Sequence, residues 1–189
     1  RKVLLGDNGI ERRYFALPDL TRLFELDAES LNRAFEAEAP KLARVALENA
    51  LKKAQLKPSE IDALFVCTCT GYICPGISSH VAEQTGMRTD TFLQDIVGLG
   101  CGAAIPSLHS ASNFLSAHRH CKVAVIAVEI CSAAFYLDDD PGVLISSCIF
   151  ADGASASIWS LEPKTMGIHC NHFDFLHIQE DRDILRYVN

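Results

Sequence analysis

Hydrophobic residues recur at helical spacing along several stretches of the chain. Between Leu31 and Leu56 they predict one long amphipathic helix, in which Pro40 marks a kink or a second start. The small-residue stretch from Gly102 to about Ala117 predicts another helix. Capping and stop residues indicate two shorter helices: one near 78–86 with Ser78 or Ser79 as cap and Gly86 as stop, and one starting at Pro141 with Asp140 as cap.

Short apolar runs lie between these helices and predict strands. The run from Lys122 to Cys131 is almost continuously apolar, which is typical of a strand covered on both faces. The run from Gly167 to Ile178 alternates and predicts a half-exposed strand. Further strands are predicted over 61–71, 91–97 and 153–161. Strands separated by helices predict an α/β layered fold, with right-handed crossovers between parallel strands.

Composition narrows the class of protein. A chain of 189 residues is about one domain, and 49% hydrophobic residues are enough to bury a substantial core. The net charge of −7 argues against an extended nucleic-acid surface, and no apolar run approaches a membrane span. The eight cysteines lie mostly inside apolar runs, which predicts reduced, buried thiols in a cytoplasmic protein.

The segment DIVGLGCGAA, from Asp95 to Ala104, connects a predicted strand to a predicted helix. Its GLGCGA core satisfies the pattern of a dinucleotide-binding turn. Such a site also needs an acidic residue about 20 positions further on. No acidic residue follows Gly98 until Glu129, so the pattern does not favour nucleotide binding.

The same turn would present the Cys101 thiol at the start of a helix. The positive end of the helix dipole favours a thiolate there, and nearby backbone N–H groups could stabilise an oxyanion. The alternative is that Cys101 is a small buried hydrophobic residue, as cysteine often is. The residues alone leave both interpretations open.

Other polar constellations are weaker candidates for chemistry. Cys67, Cys69 and Cys74 lack the paired C-x-x-C spacing of a structural zinc site. The run of aspartates before Pro141 is better interpreted as a helix cap than as a magnesium site. His109 lies about 12 Å beyond Cys101 along a helix axis, too far to act as its base. The sequence therefore predicts no metal and no cofactor.

Three motifs together resemble the type III polyketide synthases, the chalcone-synthase-like branch of the thiolase superfamily, with the bacterial members most similar. The motifs are TGYICPG at 70–76, DIVGLGCGAA at 95–104 and VEICSAAFYLDDDPGVLISSCIFADGASA at 128–156. The resemblance runs from about Gly9 to the end. It implies a thiolase-like layered αβα fold, with residues 1–189 forming the N-terminal half of a duplicated domain. It also implies a first strand before Arg1.

The resemblance implies an acyltransferase that loads a starter from an acyl-CoA onto Cys101 and extends it with malonyl-CoA. A homodimer is expected, with neither nucleic acid nor membrane as partner. The contexts of the family's partner histidine and asparagine are absent from this sequence. Two alternatives stay open: a ketoacyl synthase III-like condensing enzyme, and a non-catalytic half-fold that serves as a binding or interaction module.

Several further site residues are implied by the resemblance, position by position. Phe150 would line the entrance of the cavity, or be an ordinary core aromatic. Glu129 would join the polar network of the cavity, or face water at a strand end. Cys74 would reach across the dimer interface into the partner's cavity. Small residues at variable positions would line the cavity, unless they are plain core: Cys69, Cys131, Ala134 and Ser146. Arg1 and Lys2 lie near the expected coenzyme A contacts.

Overall fold

Helices and strands alternate along the chain in the computed structural model, which describes residues 10–162 and 167–181. The helices are α1 (Ala28–Ala54), α2 (Ile77–Thr85), α3 (Ala104–Ala117) and α4 (Pro141–Ile149). The strands are β1 (Ala63–Cys67), β2 (Phe92–Ile96), β3 (Val123–Glu129) and β4 (Gly153–Trp159). Short 3₁₀ turns at Gly100–Gly102 and Cys131–Ala134 follow β2 and β3.

The four strands form one mixed sheet in the order β2-β1-β3-β4. β1 pairs in parallel with β2 and β3, whereas β4 runs antiparallel to β3. The register places Cys67 opposite both Ile96 and Ala127. The carboxyl ends of the three parallel strands therefore meet at one edge of the sheet.

Helices cover both faces of this sheet. On β1, Leu64 and Val66 point into a core shared with α1 and α2, while Ala63 and Phe65 point into a second core built on α3. This alternation follows from the two-residue period of a strand. α1 contributes its buried stripe to the larger core: Phe35, Ala39, Ala43, Leu47 and Leu51. The predicted αβα layering is confirmed.

Three sequence expectations are confirmed in detail. The long helix forms and runs without a second start through Pro40, which is buried within it. β3 is buried along most of its length, as its continuous apolar run predicts. Asp140 caps α4, where its carboxylate accepts hydrogen bonds from the backbone N–H groups of Gly142 at 2.7 Å and Val143 at 3.2 Å.

The predicted cap of α2 is wrong. Gly76 is the N-cap residue and has no side chain to offer, while Ser78 lies inside the helix and is buried. The Asp95 carboxylate supplies the cap from β2, because it accepts hydrogen bonds from the N–H and the hydroxyl of Ser78. A cap that arrives from a neighbouring strand leaves no local sequence signal. Gly86 ends the helix in a left-handed conformation, as predicted.

The strand predicted from Gly167 to Ile178 is also wrong. The segment is irregular and leads into a 3₁₀ turn at Gln179–Asp181. Ile168 and Leu176 are 99% and 86% exposed, so the alternating pattern does not bury a face. The rings of Phe173 and Phe175 lie 5.2 and 5.1 Å from that of His109 on α3, and these contacts hold the segment without a sheet partner.

The cysteines are free, as predicted, but most are less buried than their apolar neighbours suggest. Cys67 is buried, and three others are half-buried: Cys69, Cys121 and Cys131. Four are exposed: Cys74, Cys101, Cys148 and Cys170. The prediction was wrong here because an apolar run around a cysteine reports the burial of its neighbours. Within the described residues, no helix is both long and apolar enough to cross a membrane. Arg1 and Lys2 lie outside the described residues.

Candidate active site

The turn that carries Cys101 depends on two glycines. Gly98 and Gly100 have φ angles of +82° and +57°, which any side chain other than glycine would strain. They bend the chain away from β2 so that the 3₁₀ turn at Gly100–Gly102 leads directly into α3. Cys101 is exposed in this turn, just before the amino end of α3. The interpretation of Cys101 as a small buried hydrophobic residue does not hold.

Four predicted site residues lie together at the carboxyl edge of the sheet. Cys69 follows β1, Cys101 follows β2, Glu129 ends β3 and Cys131 begins the turn after β3. The thiol of Cys69 lies beside both Cys101 and Glu129, and Cys131 is close enough to feel the charge of both. We refer to these four residues as the thiol cluster. Their meeting follows from the parallel order of the three strands.

The Glu129 carboxylate points into the loop after β1. It accepts hydrogen bonds from the backbone N–H groups of Cys69 and Thr70, each at 3.0 Å. The hydroxyls of Thr70 and Thr68 also donate to it, at 2.8 and 3.2 Å. Thr70 Oγ1 in turn accepts from the Ile130 N–H at 2.9 Å, so the loop is tied to the end of β3. Glu129 thus belongs to a polar network and does not simply face water.

The two neighbouring thiols differ chemically from an ordinary cysteine. Burial, together with the charges of Glu129 and Cys101, raises the pKa of Cys69 to about 12. Burial and the charges of Glu129, Asp152 and Cys101 raise the pKa of Cys131 to about 11. Both side chains are therefore neutral thiols near neutral pH. The cluster offers one exposed thiol, two protonated thiols and one carboxylate.

Thr68, Thr70 and Asp152 are structural members of the site that the sequence analysis did not single out. The Asp152 carboxylate accepts hydrogen bonds from the Ser132 N–H at 2.8 Å, the Ser132 hydroxyl at 2.5 Å and the Ala16 N–H at 2.7 Å. It thereby fixes the turn that carries Cys131. The threonines flanking Cys69 immediately after an apolar strand are the signal that could have found the loop.

The remaining predicted cavity residues lie on the segment after β3. Ala134 is exposed at the end of the turn that begins with Cys131, and Ser146 is half-buried on α4. Phe150 follows α4 and is 37% exposed, so it is not an ordinary core aromatic. The guanidinium of Arg13 donates to the carbonyls of Ser147 at 2.8 Å and Phe150 at 3.3 Å, which anchors this end of α4.

Cys74 lies apart from the thiol cluster, on the loop between β1 and α2. It is exposed, and its peptide bond to Pro75 is cis. An open groove of about 530 Å³ runs past it. The groove is lined by Cys74, Pro75, Tyr72, Ile73, His80, Asn32 and Glu36. Across the described part of the chain, no group of three or more histidine, cysteine or acidic side chains is placed to hold a metal ion.

Comparison with known proteins identifies the family. Residues 12–171 match the model of the FAE1/type III polyketide synthase-like proteins, and the chain belongs to this family. A 1,3,6,8-tetrahydroxynaphthalene synthase of Streptomyces griseus is 30% identical over 82% of this chain and 42% of its own length. A 3,5-dihydroxyphenylacetyl-CoA synthase of Amycolatopsis orientalis is 30% identical over 99% of this chain and 51% of its own length.

Solved structures agree with this assignment. The 1,3,6,8-tetrahydroxynaphthalene synthase of Streptomyces coelicolor A3(2) superposes with a TM-score of 0.73 at 26% identity, over 78% of this chain and 43% of that one. The C-terminal type III polyketide synthase domain of Steely1 from Dictyostelium gives a TM-score of 0.72 at 27% identity, over 77% and 40%. The thiolase-like α/β fold is confirmed. The chain spans about half the length of the curated relatives it matches.

Proposed function

We propose that this protein is the nucleophile-bearing part of a type III polyketide synthase, an acyltransferase that condenses an acyl-CoA starter with malonyl-CoA. The observation that carries the proposal is the exposed Cys101 thiol on a glycine-built turn, at the sheet edge where Glu129 and two protonated thiols converge. Membership of the family supports the same conclusion. These matches do not favour the ketoacyl synthase III-like alternative.

In the proposed reaction, the Cys101 thiolate attacks the carbonyl carbon of the acyl-CoA thioester. The carbon–sulfur bond to coenzyme A breaks, coenzyme A leaves as its thiol, and the acyl group stays on Cys101. Loss of carbon dioxide from malonyl-CoA then yields a carbanion that attacks the Cys101 thioester. The amino end of α3 places positive dipole charge beside Cys101, which favours the thiolate in the loading step.

The neighbours of Cys101 suit this division of labour. Cys69 and Cys131 keep their protons near neutral pH, so they do not compete with Cys101 for the acyl group. The small side chains of Ala134 and Ser146 are proposed to leave room for the acyl chain, with Phe150 at the entrance. Glu129 acts as a positioning residue, because it holds the loop that carries Cys69.

We also propose that the protein works as a homodimer in the cytoplasm. β2 lies at one edge of the described sheet and exposes Phe92 and Leu93, while Val97 and Leu99 are exposed just beyond it. Cys74 is exposed beside its groove, as expected of a side chain that a second copy would cover. The free cysteines suit a reducing compartment.

The test is intact mass spectrometry of the protein after incubation with a long-chain acyl-CoA. We expect one acyl adduct, which peptide mapping places on Cys101. Cys101→Ala should abolish the adduct, whereas Cys170→Ala should retain it because this equally exposed thiol lies far along the chain in an irregular segment. An adduct that persists in the Cys101→Ala protein would refute the proposed nucleophile.

A further inference from the structure

The thiol cluster contains a pair of cysteines whose side chains meet. Cys69 and Cys101 extend from two neighbouring parallel strands, whose pairing continues past β1 through the Thr68 N–H to Ile96 carbonyl bond at 3.4 Å. The Cys69 thiol lies within hydrogen-bonding reach of Cys101 and of the Glu129 carboxylate. Cys101 is exposed to solvent and Cys69 is half-buried behind it.

We propose that Cys69 is a resolving cysteine, which forms a reversible disulfide with Cys101 when a peroxide oxidises the exposed thiol. This modification goes beyond acyl transfer and does not require that activity. An oxidised nucleophile without such a partner advances to a sulfinic acid, which ordinary thiols do not reduce. A disulfide would instead hold Cys101 in a form that thiols restore.

The chemistry balances with a peroxide as oxidant. The Cys101 thiolate attacks the O–O bond, taking one oxygen as a sulfenic acid while the peroxide leaves as water or an alcohol. The Cys69 sulfur then attacks the Cys101 sulfur, the S–O bond breaks, and hydroxide leaves as water. Glu129 contacts the Cys69 thiol and can accept its proton as the S–S bond forms. A dithiol reverses the reaction and becomes a disulfide itself.

The geometry favours Cys69 over Cys131 as the partner. Cys131 feels the charge of Cys101, but its sulfur is engaged by the backbone of Ala151. Cys69 shares a hydrogen bond with Cys101 itself and lies beside the carboxylate that can take its proton. Its backbone is held by Glu129 at 3.0 Å, so the thiol stays in place when Cys101 is oxidised.

Peptide mapping of the peroxide-treated protein under non-reducing conditions tests the proposal. Trypsin should place Cys101 alone in the peptide 89–119, and Cys69 in the peptide 54–88 with Cys67 and Cys74. We expect a disulfide between these two peptides that dithiothreitol removes. Cys74→Ser and Cys67→Ser should keep the link, and Cys69→Ser should abolish it. A link from 89–119 to the peptide of Cys131 would overturn the proposal.

The fate of Cys101 provides a second readout that does not depend on acyl transfer. In the Cys69→Ser protein, we expect Cys101 to accumulate sulfinic acid at least about tenfold faster than in the unmodified protein. Circular dichroism checks that this variant is folded, and Cys131→Ser serves as the matched control. Equal rates of sulfinic acid formation in the unmodified and Cys69→Ser proteins would refute the resolving role, whether or not acyl transfer is observed.

Discussion

Glu129 accepts hydrogen bonds from four donors of a single loop, which makes it the polar anchor of the site. In Glu129→Ala, the Cys69 and Thr70 N–H groups lose their acceptor in a partly buried place, and we expect the free energy of unfolding to fall by about 2–4 kcal/mol. Glu129→Gln keeps one oxygen as an acceptor and should lose about half as much.

Urea denaturation of the two variants measures this effect. Glu83→Gln is the matched control, since Glu83 is exposed on α2 and should change the free energy of unfolding by less than about 0.5 kcal/mol. If Glu129→Ala were as stable as this control, the network would not contribute to folding. Because Cys69 is carried by the same loop, we expect Glu129→Ala also to lower the yield of the Cys69–Cys101 disulfide.

The thiols of the cluster should differ in their reactivity with pH. The pKa values of about 12 for Cys69 and about 11 for Cys131 leave almost no thiolate at pH 7.5. We expect iodoacetamide to modify the exposed Cys101 while Cys69 and Cys131 stay unmodified. Their labelling should rise about tenfold per pH unit up to their pKa values, while the protein remains folded. Fast labelling of Cys69 at pH 7.5 would contradict its protonated state.

At the residue level, the sequence predicted which residue types meet but not how they are bonded. Cys101 could be singled out because glycines surround it at a strand-to-helix turn. Its neighbours Cys69, Glu129 and Cys131 came from the family resemblance, since residues so far apart in the chain have no spacing to examine. Thr70 and Asp152 were missed because hydrogen bonds from loops depend on the backbone path. The roles of Phe150, Ser146 and Ala134 stay predictions.

At the scale of elements, α2 depends on a carboxylate from β2. Asp95 caps the helix through the Ser78 N–H and hydroxyl, and a Cβ added at Gly76 would overlap this carboxylate. Asp95→Ala removes the cap and leaves the buried Ser78 hydroxyl without its acceptor, so we expect a loss of about 2–3 kcal/mol. Gly76→Ala should also be destabilising, because the Asp95 side chain must move.

Thermal unfolding followed by circular dichroism checks both substitutions. Asp139→Ala, in the exposed loop before α4, is the control and should leave the melting temperature nearly unchanged. The contradictory result would be an Asp95→Ala protein that melts with this control. Since Asp95 begins the DIVGLGCGAA segment, its loss should also slow acylation of Cys101, provided that the turn moves with β2.

The elements show why local patterns succeed and fail. The long helix and the buried strands could be predicted because burial repeats at their own periods, as in α1 and β3. The segment 167–178 also alternates, but a strand needs a hydrogen-bonded neighbour, and alternation carries no information about a partner. The antiparallel direction of β4 was likewise not predicted, because direction depends on the sheet.

On the scale of the whole molecule, the amino ends of the parallel strands are joined through Asp62. Its carboxylate accepts from the Lys122 N–H at 2.7 Å and from the Arg88 guanidinium at 2.8 Å. Burial tends to raise the pKa of Asp62, but these hydrogen bonds and the charges of Arg88 and Lys122 lower it overall. The stabilisation is therefore present above the unfolded-state pKa of about 4 and is lost as the pH falls through the folded-state pKa.

Asp62→Asn should remove this contribution. We expect the variant to be less stable by about 1–2 kcal/mol at pH 7 and to lose less stability than the unmodified protein on acidification below about pH 4. Urea denaturation at both pH values measures the difference. Asp139→Asn is the control. Equal acid sensitivity in the Asp62→Asn and unmodified proteins would show that Asp62 does not couple the strand ends to pH.

The proposed homodimer makes a prediction about the open edge of the sheet. An interface between identical copies must be self-complementary, and an edge strand meets this condition by pairing antiparallel with its own copy. Leu93 on β2 is 37% exposed at that edge. We expect Leu93→Lys to weaken dimerisation at least about tenfold, because the pairing would bring two like charges together in a desolvated place.

Sedimentation equilibrium of the unmodified and substituted proteins measures this dissociation constant. Val45→Lys is the matched control, because Val45 is a similarly exposed apolar residue on α1, at 44%. A charge at that site should leave the dimer intact. If Leu93→Lys and Val45→Lys both dimerised as tightly as the unmodified protein, β2 would not form the interface, and the groove beside Cys74 would be the next surface to substitute. A monomeric unmodified protein would refute the homodimer itself, because a strand edge this apolar would then stay open in solution without a partner.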